Sequence, residues 1–141
     1  MLEDAVRFTF NVDGDDFSSA GAASVQVKKH LRQMGFSPEI IRRVAIAMYE
    51  GEINMVIHAD GGVATVEVTD DSIVMILEDK GPGIPNVELA MQEGFSTAKE
   101  NIRSLGFGAG MGLPNMKKYS DSLKIETEIG KGTTIIMTVN V

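Results

Sequence analysis

The chain contains no cysteine and only two histidines. Without thiols there is no disulfide framework, no thiolate zinc site and no cysteine nucleophile, and two imidazoles alone make a poor transition-metal site. Long apolar runs are missing too, so no stretch approaches the roughly 20 residues that cross a bilayer. The opening "MLEDAVRF" carries acids where a signal peptide carries lysine or arginine, and the expected location is the cytoplasm. Basic residues are scarce: 13 Lys and Arg stand against 20 Asp and Glu, a net charge of −7. That balance disfavours sequence-independent attraction to nucleic acid or to an anionic membrane. The local basic groups are Lys28, Lys29 and Arg32, and the pair Lys117 and Lys118. At helical spacing they read as solvated helix faces.

What is present suits one domain with a real core: 141 residues, 43% hydrophobic and 23% charged, with no internal repeat and no linker across 1–141. "VRFTFNV" (6–12) alternates apolar and polar residues, the period of a half-buried strand. From Phe17 to Met34, apolar groups at Ala20, Ala23, Val27, Leu31 and Met34 recur at helical spacing, and Gly35 closes that helix. "SPEI" then offers a serine N-cap and a first-turn proline, which predicts a second helix from Pro38 to about Ala59. "ATVEVT" and "SIVMILE" alternate around Asp70-Asp71 as an antiparallel pair, and "SLKIETEI" and "TTIIMTVNV" form another around "GKG". A short helix is expected in "NVELAMQ" and one more in "LPNMKKYS". Residues 93–112 are rich in glycine and small polar groups. That stretch is too long for an ordinary connection, so it reads as functional or mobile.

The second helix is apolar on most sides between Val44 and Ala59, which makes Glu50, Glu52, Asn54 and His58 informative. At about 100° per residue, Glu50, Asn54 and His58 share a stripe about 80° wide, while Glu52 lies on the far side. A carboxylate on that stripe can take a proton, and an amide oxygen one turn away can ligate Mg²⁺ without adding charge. His58, near the helix end, reads as a surface or hydrogen-bonded group. Asp79 ends a strand and leads into "KGPGIPN", where glycines leave room for a flat ligand to approach the carboxylate. "GFGAGMG" (106–112) enters the last helix, and its backbone N–H groups at the positive helix end suit a polyphosphate. It matches neither the Walker loop nor the dinucleotide fingerprint.

Together these parts resemble the GHKL (Bergerat-fold) ATP-binding domains of DNA gyrase, a heat-shock chaperone, sensor histidine kinases and a mismatch-repair ATPase. The family's E-x-x-x-N box is matched by Glu50 and Asn54, and its D-x-G-x-G by Asp79, Gly81 and Gly83. Its G-x-G-x-G is matched by Gly108, Gly110 and Gly112, and a late G-x-T by Gly132 and Thr134, with Thr133 between. The resemblance covers nearly the whole chain, and "GLPNMKKYSDSLKIETEIGKGTT" is similar to the anti-sigma serine kinases and switch kinases of bacterial partner switching. It implies an α/β two-layer sandwich, a mostly antiparallel mixed sheet with helices on one face.

The resemblance also implies a site for ATP and Mg²⁺. Glu50 would act as the catalytic base and Asn54 as the metal ligand. Asp79 would accept the adenine amine with Thr134 in support, and Gly81, Gly83 and Ile84 would lie along the base. Gly108, Gly110, Met111, Gly112 and Leu113 would lie along the phosphates, and Ser96, Thr97 and Lys99 in an ATP lid. The partners implied are a STAS-domain antagonist and a sigma factor, and the family points to a homodimer. Two departures stand out: Ile53 replaces a common threonine, and Arg103 is the one candidate for a lid arginine. A non-catalytic, ATP-gated protein-binding module is therefore kept beside the kinase reading. His30 in "KKHLRQM" lacks the acidic neighbour of a phosphoacceptor box and reads as a surface histidine.

Overall fold

A computed structural model of the chain describes residues 6–13, 21–59, 61–81 and 112–141. In chain order the elements are β1 (Val6–Asp13), α1 (Ala22–Gln33), α2 (Pro38–Ala59), β2 (Gly61–Val68), β3 (Ser72–Glu78), α3 (Gly112–Tyr119), β4 (Ser122–Glu128) and β5 (Gly132–Asn140). The five strands form one sheet in the order β1-β2-β3-β5-β4, and every neighbouring pair is antiparallel. The fold is the expected α/β sandwich. Strand β3 has the bounds of the "SIVMILE" run, and Thr69 and Ser72 close the turn before it, Thr69 N–H donating to the Ser72 carbonyl at 2.9 Å.

Period-two patterning decides which face is covered. Ala64, Val66 and Val68 of β2, Ile73, Met75 and Leu77 of β3, and Ile135, Met137 and Val139 of β5 are all buried. The register pairs them with one another and with Phe8 and Phe10 of β1, so one face of the sheet is apolar and carries the three described helices. Between sheet and helices lie Met48, Met55, Met75, Met116 and Met137, each nearly inaccessible to solvent. Unbranched thioethers fill the irregular gaps a curved sheet leaves under helices.

The helix ends follow the sequence signals. Ser37 caps α2, its hydroxyl accepting from Ile40 N–H at 3.3 Å, with Pro38 in the first position. Helix α1 ends where Gly35 stops it, with Phe36 N–H donating to the Leu31 carbonyl at 3.2 Å. Its start at Ala22 is later than the expected Phe17, and 14–20 lie outside the described residues. No side chain of α1 itself caps that start. Glu52 of α2 does so instead, its buried carboxylate accepting from Gly21 N–H at 2.8 Å and from Ala23 and Ser24 N–H at 3.1 Å.

His30 is corrected from a surface residue to a half-buried one. Its ring stacks on Phe8 with centroids 4.2 Å apart and joins α1 to β1. Lys118 and Arg42 both stand over the ring of Tyr119, at 5.4 and 5.7 Å from its centroid. Arg43 pairs at 3.2 Å with Asp121, which lies between α3 and β4, so the first half of α2 is tied to the chain just past α3.

Candidate nucleotide site

Asp79 follows the last residue of β3, and the neighbouring strand grips it. Its N–H donates to the Thr133 carbonyl at 2.9 Å, and its Oδ1 accepts from Thr133 N–H at 3.1 Å and Gly81 N–H at 2.9 Å. One carboxylate oxygen is thus fixed by two backbone donors. Among the described residues none donates to the other, Oδ2. The grip fixes the plane of the carboxylate, and Oδ2 is an acceptor that no described residue occupies.

Two glycines make room for this. A Cβ on Gly132 would stand 2.2 Å from the Asp79 carbonyl oxygen, and one on Gly62 would stand 2.2 Å from that of Glu78. Both contacts are with backbone, which has no side-chain freedom to yield. Gly132 also has φ +130°, a conformation that side chains rarely adopt. Gly132→Ala should therefore lower the unfolding free energy by about 2 kcal/mol or more, read from the urea midpoint at unchanged m-value. A shift smaller than about 0.5 kcal/mol would show that the strand end is looser than this.

The parity of β5 moves the threonine assignment by one residue. Thr133 is buried on the same face as Ile135 and shares a hydroxyl–hydroxyl bond of 2.9 Å with Thr127. Thr134 lies opposite Glu78 and Glu126, both exposed, on the face away from the helices. The threonine beside Asp79 is Thr133, and Thr134 faces the other side of the sheet.

Helix α2 is continuous through Glu50 and Asn54, which keeps the two residues one turn apart on the expected stripe. Both are half-buried. Gly51 presses the helix onto the sheet, since a Cβ there would stand 2.6 Å from Leu77 Cδ2 and 3.5 Å from Met116 Sδ. Leu77 precedes Asp79 by two residues, so the Glu50 stretch of α2 crosses the sheet near the end of β3. Burial raises the pKa of Glu50, and a hydrogen bond that Asn115 Nδ2 donates to Glu50 Oε2 at 2.8 Å partly opposes the rise. Asn115 was not foreseen; the signal is its place in the first turn of α3, right behind the glycine cluster. Glu52 lies on the far side of α2, as expected from its spacing.

Gly112 opens α3 and Leu113 is buried under it. Gly83, Ile84, Ser96, Thr97, Lys99, Arg103, Gly108, Gly110 and Met111 lie outside the described residues, as do the "NVELAMQ" helix and the side chain of His58. Among the described residues no three His, Cys, Asp or Glu side chains gather as a metal site. No helix among the described residues is long and apolar enough to cross a membrane.

Comparison with known proteins gives the family and the fold. The family described as histidine kinase-, DNA gyrase B-, and HSP90-like ATPase matches residues 41–141. An anti-sigma F factor of Clostridium acetobutylicum is 32% identical over 142 residues, covering 97% of this chain and 94% of the relative. The serine/threonine-protein kinase RsbT of Bacillus subtilis is 32% identical over 108 residues, covering 74% of this chain and 75% of the relative. Among solved structures, the RsbU and RsbW domains of a Mycobacterium tuberculosis protein superpose with a TM-score of 0.65 at 17% identity, covering 95% of this chain and 32% of that one. That likeness shows the fold alone.

Proposed function

We propose, since this chain belongs to the family of histidine kinase-, DNA gyrase B-, and HSP90-like ATPases, that it is a cytoplasmic, single-domain Mg-ATP-dependent serine/threonine protein kinase of the partner-switching kind. Its substrate is a STAS-domain antagonist, and its second partner is a sigma factor. The observation that supports the nucleotide assignment is the divided carboxylate of Asp79: Oδ1 is fixed by two backbone N–H groups, and Oδ2, which no described residue engages, would accept from an exocyclic amine. Thr133 takes the supporting role first expected of Thr134. Asn54 would hold Mg²⁺, which would neutralise charge on the phosphates, and the glycine cluster before α3 would supply phosphate donors.

Glu50 is the base. It accepts the proton of the partner's serine or threonine hydroxyl while that oxygen's electron pair bonds to the γ-phosphorus; the bond to the bridging oxygen breaks and its pair leaves with ADP. Burial favours the protonated form of Glu50, so the transferring state is lost as pH falls through a value above the ordinary glutamate range.

The test is radiolabelled ATP with candidate STAS proteins from the same genome. Glu50→Gln keeps the hydrogen bonding and cannot take a proton, so transfer should fall roughly a hundredfold or more with ATP still bound. Asn54→Ala should weaken Mg-ATP binding itself. A wild type that binds ATP and a partner without transferring phosphate would make the chain an ATP-gated binding module instead.

A further inference from the structure

We infer that Asn115 is a positioning residue for phosphoryl transfer, holding Oε2 of Glu50 through its amide so that Oε1 is the oxygen offered to the incoming hydroxyl. The inference rests on the kinase reading above. A glutamate carboxylate turns about a broad, two-fold terminal torsion, so a half-buried one has two equivalent oxygens and no preferred direction. The bond from Asn115 Nδ2 at 2.8 Å removes that equivalence. Tight packing supports the contact from behind, where Gly51 lies directly against Leu77 and Met116 and fixes the separation of α2 and α3.

The chemistry of the donor matters as much as its place. A lysine or arginine would orient the carboxylate but would also stabilise its charge strongly and weaken it as a base. A neutral amide orients it at a smaller cost in basicity. On the elements packed against α2 the charged side chains described are Lys28, Lys29 and Arg32 on α1, Lys117 and Lys118 on α3, Glu78 on β3 and Arg7 on β1, all exposed, and the half-buried Glu67 of β2, which pairs with Arg7; the titratable His30 of α1 and Tyr119 of α3 are half-buried. None of them contributes to the shift at Glu50, and Glu52 is turned to the start of α1. Asn115 also stands three residues after Gly112, so one helical turn both follows the glycine cluster and steers the base.

A double-mutant cycle in the radiolabel assay tests this, with ATP affinity measured separately by calorimetry. Asn115→Leu should lower kcat about tenfold, with the Kd for ATP changed less than twofold, the pattern of a misdirected reacting group. In the Glu50→Gln background the same substitution should cost less than twofold, because a residue that acts only through Glu50 has nothing left to orient. Asn115→Ala, which removes the donor without adding charge, repeats the cycle should the leucine disturb folding. Equal losses in both backgrounds, or a loss confined to ATP affinity, would overturn the positioning role and leave Glu50 as the base. A wild type without transfer would instead remove the kinase reading, and this inference with it.

Discussion

Asp79→Asn is expected to weaken ATP and ADP binding by about thirtyfold or more, the equivalent of about 2 kcal/mol, while the protein stays folded. The substitution changes little except chemistry. An asparagine can keep its oxygen where Oδ1 now accepts from Thr133 and Gly81, so the end of β3 keeps its two backbone bonds. The amide nitrogen then falls where Oδ2 was and presents donors to an exocyclic amine that is itself a donor. The proposed bond is lost and a donor–donor contact replaces it. The same logic sets base preference, since guanine offers a carbonyl where adenine offers the amine. Wild type should favour ATP over GTP in calorimetry, and the variant should lose most of that preference. Equal ATP and GTP affinity in the wild type would remove Asp79 from the base-reading role.

The parts of this molecule readable from sequence are those that depend on neighbours in the chain. Helix α2 was legible because Ser37, Pro38 and a long apolar face are all local signals, and the strands because alternation is local too. Glu50 and Asn54 could be paired because helical geometry is fixed at short range. The choice of Thr133 over Thr134 was not legible in the same way. It depends on which face of β5 is covered, and a shift of one residue moves a side chain to the opposite face. Asn115 belongs to α3 and meets Glu50, 65 residues away in sequence, only when the two helices are packed together. Glu52 was placed on the correct side of α2, yet its role needs the start of α1 in view.

That role supports the prediction with the largest expected effect on stability: Glu52→Ala should lower the unfolding free energy by about 3 kcal/mol or more. The first turn of any helix exposes N–H groups without intrahelical partners, usually met by a serine, threonine or aspartate at the cap. In α1 the cap position is Gly21, which has no side chain to offer. Glu52 reaches over from α2 and takes all three donors, Gly21 and Ala23 on Oε2 and Ser24 on Oε1, with only 2% of its surface exposed. Alanine would leave those donors facing a cavity, and α1 would lose both its cap and the negative charge at its positive end. Glu52→Gln should cost about half as much, because one acceptor oxygen remains while its NH₂ group opposes a backbone donor. Urea unfolding of both variants checks this against Glu39→Ala, an exposed first-turn acid of α2, which should shift stability by less than about 0.5 kcal/mol. If Glu52→Ala proved as mild as that control, the carboxylate would not be what holds α1 to α2.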